Sequence, residues 1–115
     1  MEIRAINTIL YCNRWEETVA FYRSVLGGQE SHATGWFVEF PLGDTARLSV
    51  ADAAKTSIGS SAGRGITISL RVKDVVSAHA ELVAAGLDPT EPKDLWGTQV
   101  TYIYDPEGHR IEFWT

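Results

Sequence analysis

The alternation of apolar and polar residues in INTILYCN, residues 6–13, gives way to a helical period in RWEETVAFYRSVLGG. The same change recurs sixty positions later, where ITISLRVK, residues 66–73, leads into DVVSAHAELVAAGL. A period of two marks a strand with one buried face, and apolar residues three or four apart mark a helix with one buried face. The offset is 60 at the strands (6 to 66, 7 to 67) and 59 at the glycines that follow the helices, Gly27 and Gly86. The chain therefore reads as two copies of one unit.

Asn13 is the expected N-cap of the first helix, with Glu16 reaching back to complete a capping box. Trp15, Val19, Tyr22, Val25 and Leu26 form its apolar face, Trp15 as a core residue, and Gly27 supplies a left-handed stop. Asp74 caps the second helix, which offers Val75, Val76, Leu82 and Val83 to the core and stops at Gly86. After each helix the period returns to two. The first half predicts a weak strand near 29–33, a strand over 36–40, a turn over 42–45 and a strand over 46–51. In the second half, residues 88–97 hold at most a short strand, and strands over 99–104 and 109–114 flank DPEG. There Asp105, Pro106 and Gly108 suit positions one, two and four of a type I turn. Each half thus reads as strand, helix and three strands. Residues 52–64, DAAKTSIGSSAGR, carry no periodicity and are expected to link the halves; a flap over a site is the other role open to them.

Composition fits one folded domain: 115 residues, 44% hydrophobic and 22% charged. A net charge of −5 without a basic cluster argues against a nucleic-acid partner and mildly favours a cationic small molecule. Apolar runs reach only four residues, as in Ile9–Cys12, and MEIRAIN lacks a signal-peptide pattern, so no membrane association and a cytoplasmic location are expected. The single cysteine, Cys12, has no disulfide partner within the chain and falls on the core face of its strand. His32, His79 and His109 are scattered and expected to be solvated or lightly packed. No GxSxG turn or Ser–His pairing suggests a nucleophile, and GSSAG lacks the lysine of a phosphate loop.

Alternation also assigns faces. If Asn7 points to one side of the first strand, Ile9 and Tyr11 join it, while Ile6, Leu10 and Cys12 point at the helices. Thr67, Ser69 and Arg71 oppose Ile66, Ile68, Leu70 and Val72; Arg110, Glu112 and Trp114 oppose Ile111 and Phe113. Tyr102 and Tyr104 oppose Ile103, and Arg47 and Ser49 oppose Leu48 and Val50. The face opposite the helices is then made of hydroxyls, arginines, one carboxylate and aromatics, a surface suited to stacking on planar ligands.

The strand followed by TVAFYRSVLGG, the linker, ITISLRVKDVVSAHAELVAAG and YDPEGHRIEF resemble the vicinal oxygen chelate superfamily. That superfamily includes glyoxalase I, fosfomycin-resistance enzymes, extradiol dioxygenases and bleomycin-resistance proteins. The resemblance implies an α+β fold in which two βαβββ modules form a cupped mixed sheet around a cavity, commonly completed by a dimer partner. It makes residues 1–115 one domain, with module 1 about 1–51, a linker over 52–64 and module 2 about 65–115. Family enzymes place metal ligands on the first and last strands of each module, which here are Asn7, Ser49, Thr67 and Glu112. Only Glu112 is of a usual ligand type, so neither a metal nor another cofactor is expected.

Asn7, Trp36, Arg47, Trp96, Tyr102, Tyr104 and Glu112 are the candidate ligand-binding residues, and no catalytic residue is assigned. Glu112 needs a partner, which Arg47 or Arg71 would supply, or else it touches ligand. Trp36 follows Gly35 at the opening of a strand, Trp96 precedes Gly97 in a loop without periodicity, and both are expected to meet either a ligand or a second subunit. The expected function is metal-independent binding of a planar or cationic molecule such as an antibiotic, by a cytoplasmic homodimer resembling the bleomycin-resistance type. One alternative is a lyase, isomerase or transferase using Glu112, with or without a metal. Another is a regulatory domain whose protein partner is met by Trp36 and Trp96.

Overall fold

The computed structural model describes residues 1–115. The chain divides into two compact units, Met1–Ala62 and Gly63–Thr115. The first contains β1 (Ile6–Cys12), α1 (Trp15–Val25), β2 (His32–Ala33), β3 (Phe37–Leu42) and β4 (Ala46–Asp52), followed by a 3-10 turn over Ala53–Lys55. The second contains β5 (Thr67–Arg71), α2 (Val75–Ala84), β6 (Lys93–Leu95), β7 (Thr98–Tyr104) and β8 (Arg110–Trp114).

Each unit builds a four-stranded mixed sheet, in the orders β1-β4-β3-β2 and β5-β8-β7-β6. The first strand lies parallel to the last and the other pairs are antiparallel. The architecture is therefore α+β, built twice from a βαβββ unit as the internal repeat predicts. No helix is long and apolar enough to cross a membrane.

One face of each sheet is covered by its own helix. In the first unit Leu10, Cys12, Val38, Phe40, Leu48 and Val50 are buried on that face, with the Tyr22 ring of α1 centred 6.3 Å from that of Phe40. In the second, Ile103, Ile111 and Phe113 are buried together with Val75 and Leu82 of α2. Full burial of side chains this size contributes about 1.5–3 kcal/mol each, and this repeated apolar layer holds the strands in register. Ile6 shares the parity of Leu10 but is 61% exposed, because the helix covers only the later part of β1.

The helix ends differ from expectation in one case. The N-cap of α1 is Arg14 rather than Asn13, and its side chain makes no capping bond but pairs with Glu17. The first turn is held by the Thr18 hydroxyl, which donates to the Arg14 carbonyl at 2.7 Å. Trp15 is half-buried and donates from Nε1 to the Val50 carbonyl at 2.9 Å, tying the helix start to β4. Asp74 caps α2 as expected: its carboxylate accepts from the amides of Val76 and Ser77 and from the Ser77 hydroxyl. Those bonds, the Ser77 hydroxyl foremost, hold its carboxyl below the ordinary value. Gly27 and Gly86 end the helices with φ of +83° and +81°. Val76 and Val83 are exposed, a correction to the expected core face. Val75 and Leu82, seven residues apart, share one line along the helix, and their successors are turned about 100° away from it.

The DPEG turn closes as expected, Gly108 N–H donating to the Asp105 carbonyl at 3.0 Å. His109 differs: it is buried, with Nδ1 2.8 Å from Asp105 Oδ2. The other oxygen of Asp105 accepts the amides of Glu107, Gly108 and His109 at 2.9–3.0 Å. Gly63 packs directly on this turn. A Cβ there would lie 2.1 Å from the carbonyl carbon of Gly108, and its φ is +77°.

Candidate functional site on the open sheet faces

The face of each sheet turned away from its helix carries five of the seven predicted site residues, Asn7, Arg47, Tyr102, Tyr104 and Glu112, and register groups them. In the first unit Asn7 lies beside Arg47, and Ile9 beside Ser49 and Glu39. The buried Ser49 hydroxyl donates to Asn7 Oδ1 at 2.7 Å. Arg47 is neutralised by Glu39, Nε to Oε1 at 3.5 Å, and donates from Nη1 to the Ala46 carbonyl. Glu39 also accepts from the Ser31 hydroxyl at 2.8 Å. Trp36 stands at the other end of β3. Its ring is 42% exposed and lies 5.5 Å from that of Phe37, which pairs with Ala51, four residues along β4 from Arg47.

In the second unit the rows are Thr67–Arg110–Tyr104, Ser69–Glu112–Tyr102 and Arg71–Trp114–Val100–Lys93. Tyr102, Tyr104 and Glu112 thus come together as the alternation predicts. Within this unit the partner of Glu112 is not Arg71: the Ser69 hydroxyl donates to its carboxylate at 2.6 Å. Arg110 donates from Nε to the Thr67 hydroxyl at 3.0 Å and lies over the Tyr102 ring, 5.0 Å from its centroid. Arg71 lies over Trp114 at 5.3 Å. Tyr104 is 63% exposed.

Trp96 stands apart, in the hairpin turn between β6 and β7, at the opposite end of β7 from Tyr104. It and Gly97 both have positive φ, +53° and +81°, which defines the two-residue turn that matches strand twist. A bulky residue is strained there, and its side chain is 95% exposed.

A hollow of about 270 Å³ at the start of α1 and one of about 390 Å³ at the start of α2 are lined by none of the seven candidates. Residues that the sequence reading left out of the site are Glu39, Ser69, Arg71, Arg110 and Trp114. Alternation had already put Ser69, Arg71, Arg110 and Trp114 on the correct face. Glu39 was findable by carrying Tyr102 back 63 positions, the offset that relates β8 to β4.

The four positions where the resemblance implies metal ligands do not fit a divalent ion. Asn7 and Ser49 are hydrogen-bonded to one another, and Thr67 receives a guanidinium N–H, so an ion there would meet a fixed positive charge. Glu112 alone offers an anionic oxygen among them, and nowhere do three or more His, Cys, Asp or Glu side chains gather. No step through a metal is derived from this donor set.

A pair of βαβββ units with polar and aromatic open faces defines a protein of the glyoxalase/bleomycin-resistance fold. The chain matches the model of the Glyoxalase/Bleomycin resistance protein/Dioxygenase superfamily over residues 5–113 and belongs to that superfamily. Among solved structures it is similar to a glyoxalase/bleomycin resistance protein/dioxygenase from Nocardioides, with a TM-score of 0.79 and 24% identity over 99% of this chain and 82% of that one. A lactoylglutathione lyase from Agrobacterium tumefaciens gives 0.76 and 21% identity, covering 95% and 90% of the two chains. The fosfomycin resistance protein FosX from Mesorhizobium loti gives 0.66 and 19%, covering 99% and 91%. At these identities the likeness is one of fold. No curated protein matches the chain.

Proposed function

We propose that this protein binds a small planar molecule and holds it unchanged, without a metal, as a cytoplasmic homodimer of the bleomycin-resistance type. One observation carries the reading: Thr67, at a position where relatives would place a metal ligand, accepts a hydrogen bond from Arg110 while that arginine lies on Tyr102. Such a face offers flat area and directional donors, which select shape rather than coordinate an ion. Of the two ligand descriptions, planar and cationic, the arginines favour the planar. Asn7 and Arg47 contribute hydrogen bonds in this reading; Tyr102, Tyr104 and Glu112 line the contact; Trp36 and Trp96 meet either the ligand or the second subunit.

The test has two arms. Protein purified without chelator should carry below about 0.1 metal per chain by elemental analysis. A panel of planar aromatic antibiotics should yield at least one that raises the melting temperature; at ~100 times its dissociation constant a ligand adds about 2.7 kcal/mol of stability. Stoichiometric zinc, nickel or iron, or no shift across the panel, overturns the reading. The place of Glu112 as the one carboxylate in its three rows, between Ser69 and Tyr102, favours a second reading, metal-free proton transfer by Glu112. In that case Glu112→Gln lowers turnover of a bound compound far more than it lowers its binding.

A further inference from the structure

The two units place an arginine at the same point of the same ladder. Arg47 pairs with Pro41 and lies diagonal to Glu39; Arg110 pairs with Tyr104 and lies diagonal to Tyr102. The diagonal neighbour decides the charge each one presents. Glu39 neutralises Arg47, whereas Tyr102 supports Arg110 through its ring face and leaves the positive charge uncompensated.

Arg71 repeats the arrangement two rows away, seated on Trp114 with no carboxylate paired to it. Glu112, the one carboxylate in the three rows, keeps its charge under the Ser69 hydrogen bond, and with Lys93 beside Val100 the rows hold three cations against one anion. The open face of this sheet is therefore locally positive on a chain whose net charge is −5. A guanidinium lying flat on a ring keeps its outer N–H edge available, the fork that takes a carboxylate through two parallel bonds. Directly opposite Arg110, the exposed ring of Tyr104 offers a stacking surface within reach of that fork.

We infer that the open face of the second unit selects planar aromatic carboxylates, the carboxylate on Arg110 and the ring against Tyr104. The inference rests on the planar-ligand reading and deepens it by assigning the ligand's charge. Charge complementarity with two arginines that have no salt-bridged carboxylate makes this occupant preferable to a cationic one, which Arg110 and Arg71 would repel.

Three probes of one shape test it on the whole chain: 2-naphthoate, 2-naphthamide and 2-naphthylmethylammonium. Each is titrated while the Nε–Hε signals of the arginines and the indole signals of the tryptophans are followed by NMR. The expected result is saturable movement of the Arg110 signal with 2-naphthoate and affinity for it at least tenfold above that for the other two probes. Arg110→Gln should lower the naphthoate affinity by about ten- to a hundredfold, the range for a lost hydrogen bond to a charged group, and Arg110→Lys should restore only part of it. The Arg23→Gln variant, on α1 and already paired with Glu30, should leave it within about twofold. Should all three probes bind this face equally, or the cation bind best, the charge assignment falls while the planar-ligand reading stands. Absence of binding by every probe overturns the charge assignment, and the antibiotic panel then decides separately whether the planar-ligand reading survives. A naphthoate affinity unchanged in a folded Arg110→Gln protein also overturns it.

Discussion

The two units share strand order, strand directions and register, yet spend their polar residues differently at three matched points. Arg47 is cancelled by Glu39 while Arg110 rests on Tyr102. The N-cap residue of the first helix, Arg14, makes no side-chain cap bond and its carbonyl accepts the Thr18 hydroxyl, while the second helix has a side-chain cap in Asp74. The turn before the last strand is an open Leu42–Gly43–Asp44–Thr45 in one and a buried Asp105–His109 knot in the other. The lesson is that the ladder and the apolar layer set the fold, and side chains that face away from the layer are left to set chemistry and local stability.

The turns offer the sharpest contrast. Gly63→Ala should cost about 3 kcal/mol or more, because the new Cβ meets backbone atoms of Gly108 and His109 at 2.1–2.4 Å and the backbone is left-handed. Gly43→Ala, also left-handed but with nothing within 4 Å, should cost about 1 kcal/mol. Urea unfolding of both variants checks the pair, and equal costs would mean that the turn of the second unit yields as easily as that of the first.

Next in size is Asp105→Ala. It removes the acceptor of three amides and of His109 Nδ1 in a buried setting, for an expected loss of about 3 kcal/mol. Asp44→Ala, at an exposed position in the matching turn, should change stability by no more than about 0.5 kcal/mol. Thermal melts of the two variants separate these outcomes.

The smallest effect is in the caps. The Asp74 carboxyl titrates lower in the folded chain than in the unfolded one, so its contribution is present above the unfolded value of 3.8 and is lost as pH falls through the lower folded value. Amide exchange at the start of α2 should therefore accelerate in acid relative to the intrinsic rate of unstructured amides at the same pH, and Asp74→Asn, which keeps an N-cap acceptor, should remove that dependence. The acid dependence at the start of α1 should be unaffected by this variant.

What could be read in advance was whatever depends on near neighbours. The repeat, both glycine stops, the Asp74 cap, the DPEG turn and the split of Ile111 and Phe113 from Arg110, Glu112 and Trp114 all follow from spacing alone. Partners distant in sequence were harder. Ser69 reaches Glu112 across 43 positions, and Glu39 reaches Arg47 only because β3 and β4 pair in one particular register. Burial of His109 depended on the chain folding over its turn at Gly63, which no local pattern announces. The exposure of Val76 and Val83 shows the converse, since apolar residues on a short helix are not all covered by a narrow sheet.

In both units the strand made last is an interior one: β4 lies between β1 and β3, and β8 between β5 and β7. A nascent chain can close the β6–β7 hairpin early, but β5 has no neighbour within its own unit until β8 emerges and slots between it and β7. Ordering each unit is consequently a late, all-at-once event during synthesis, and removing the ten residues after Asp105 would strip the middle from a sheet rather than trim its margin.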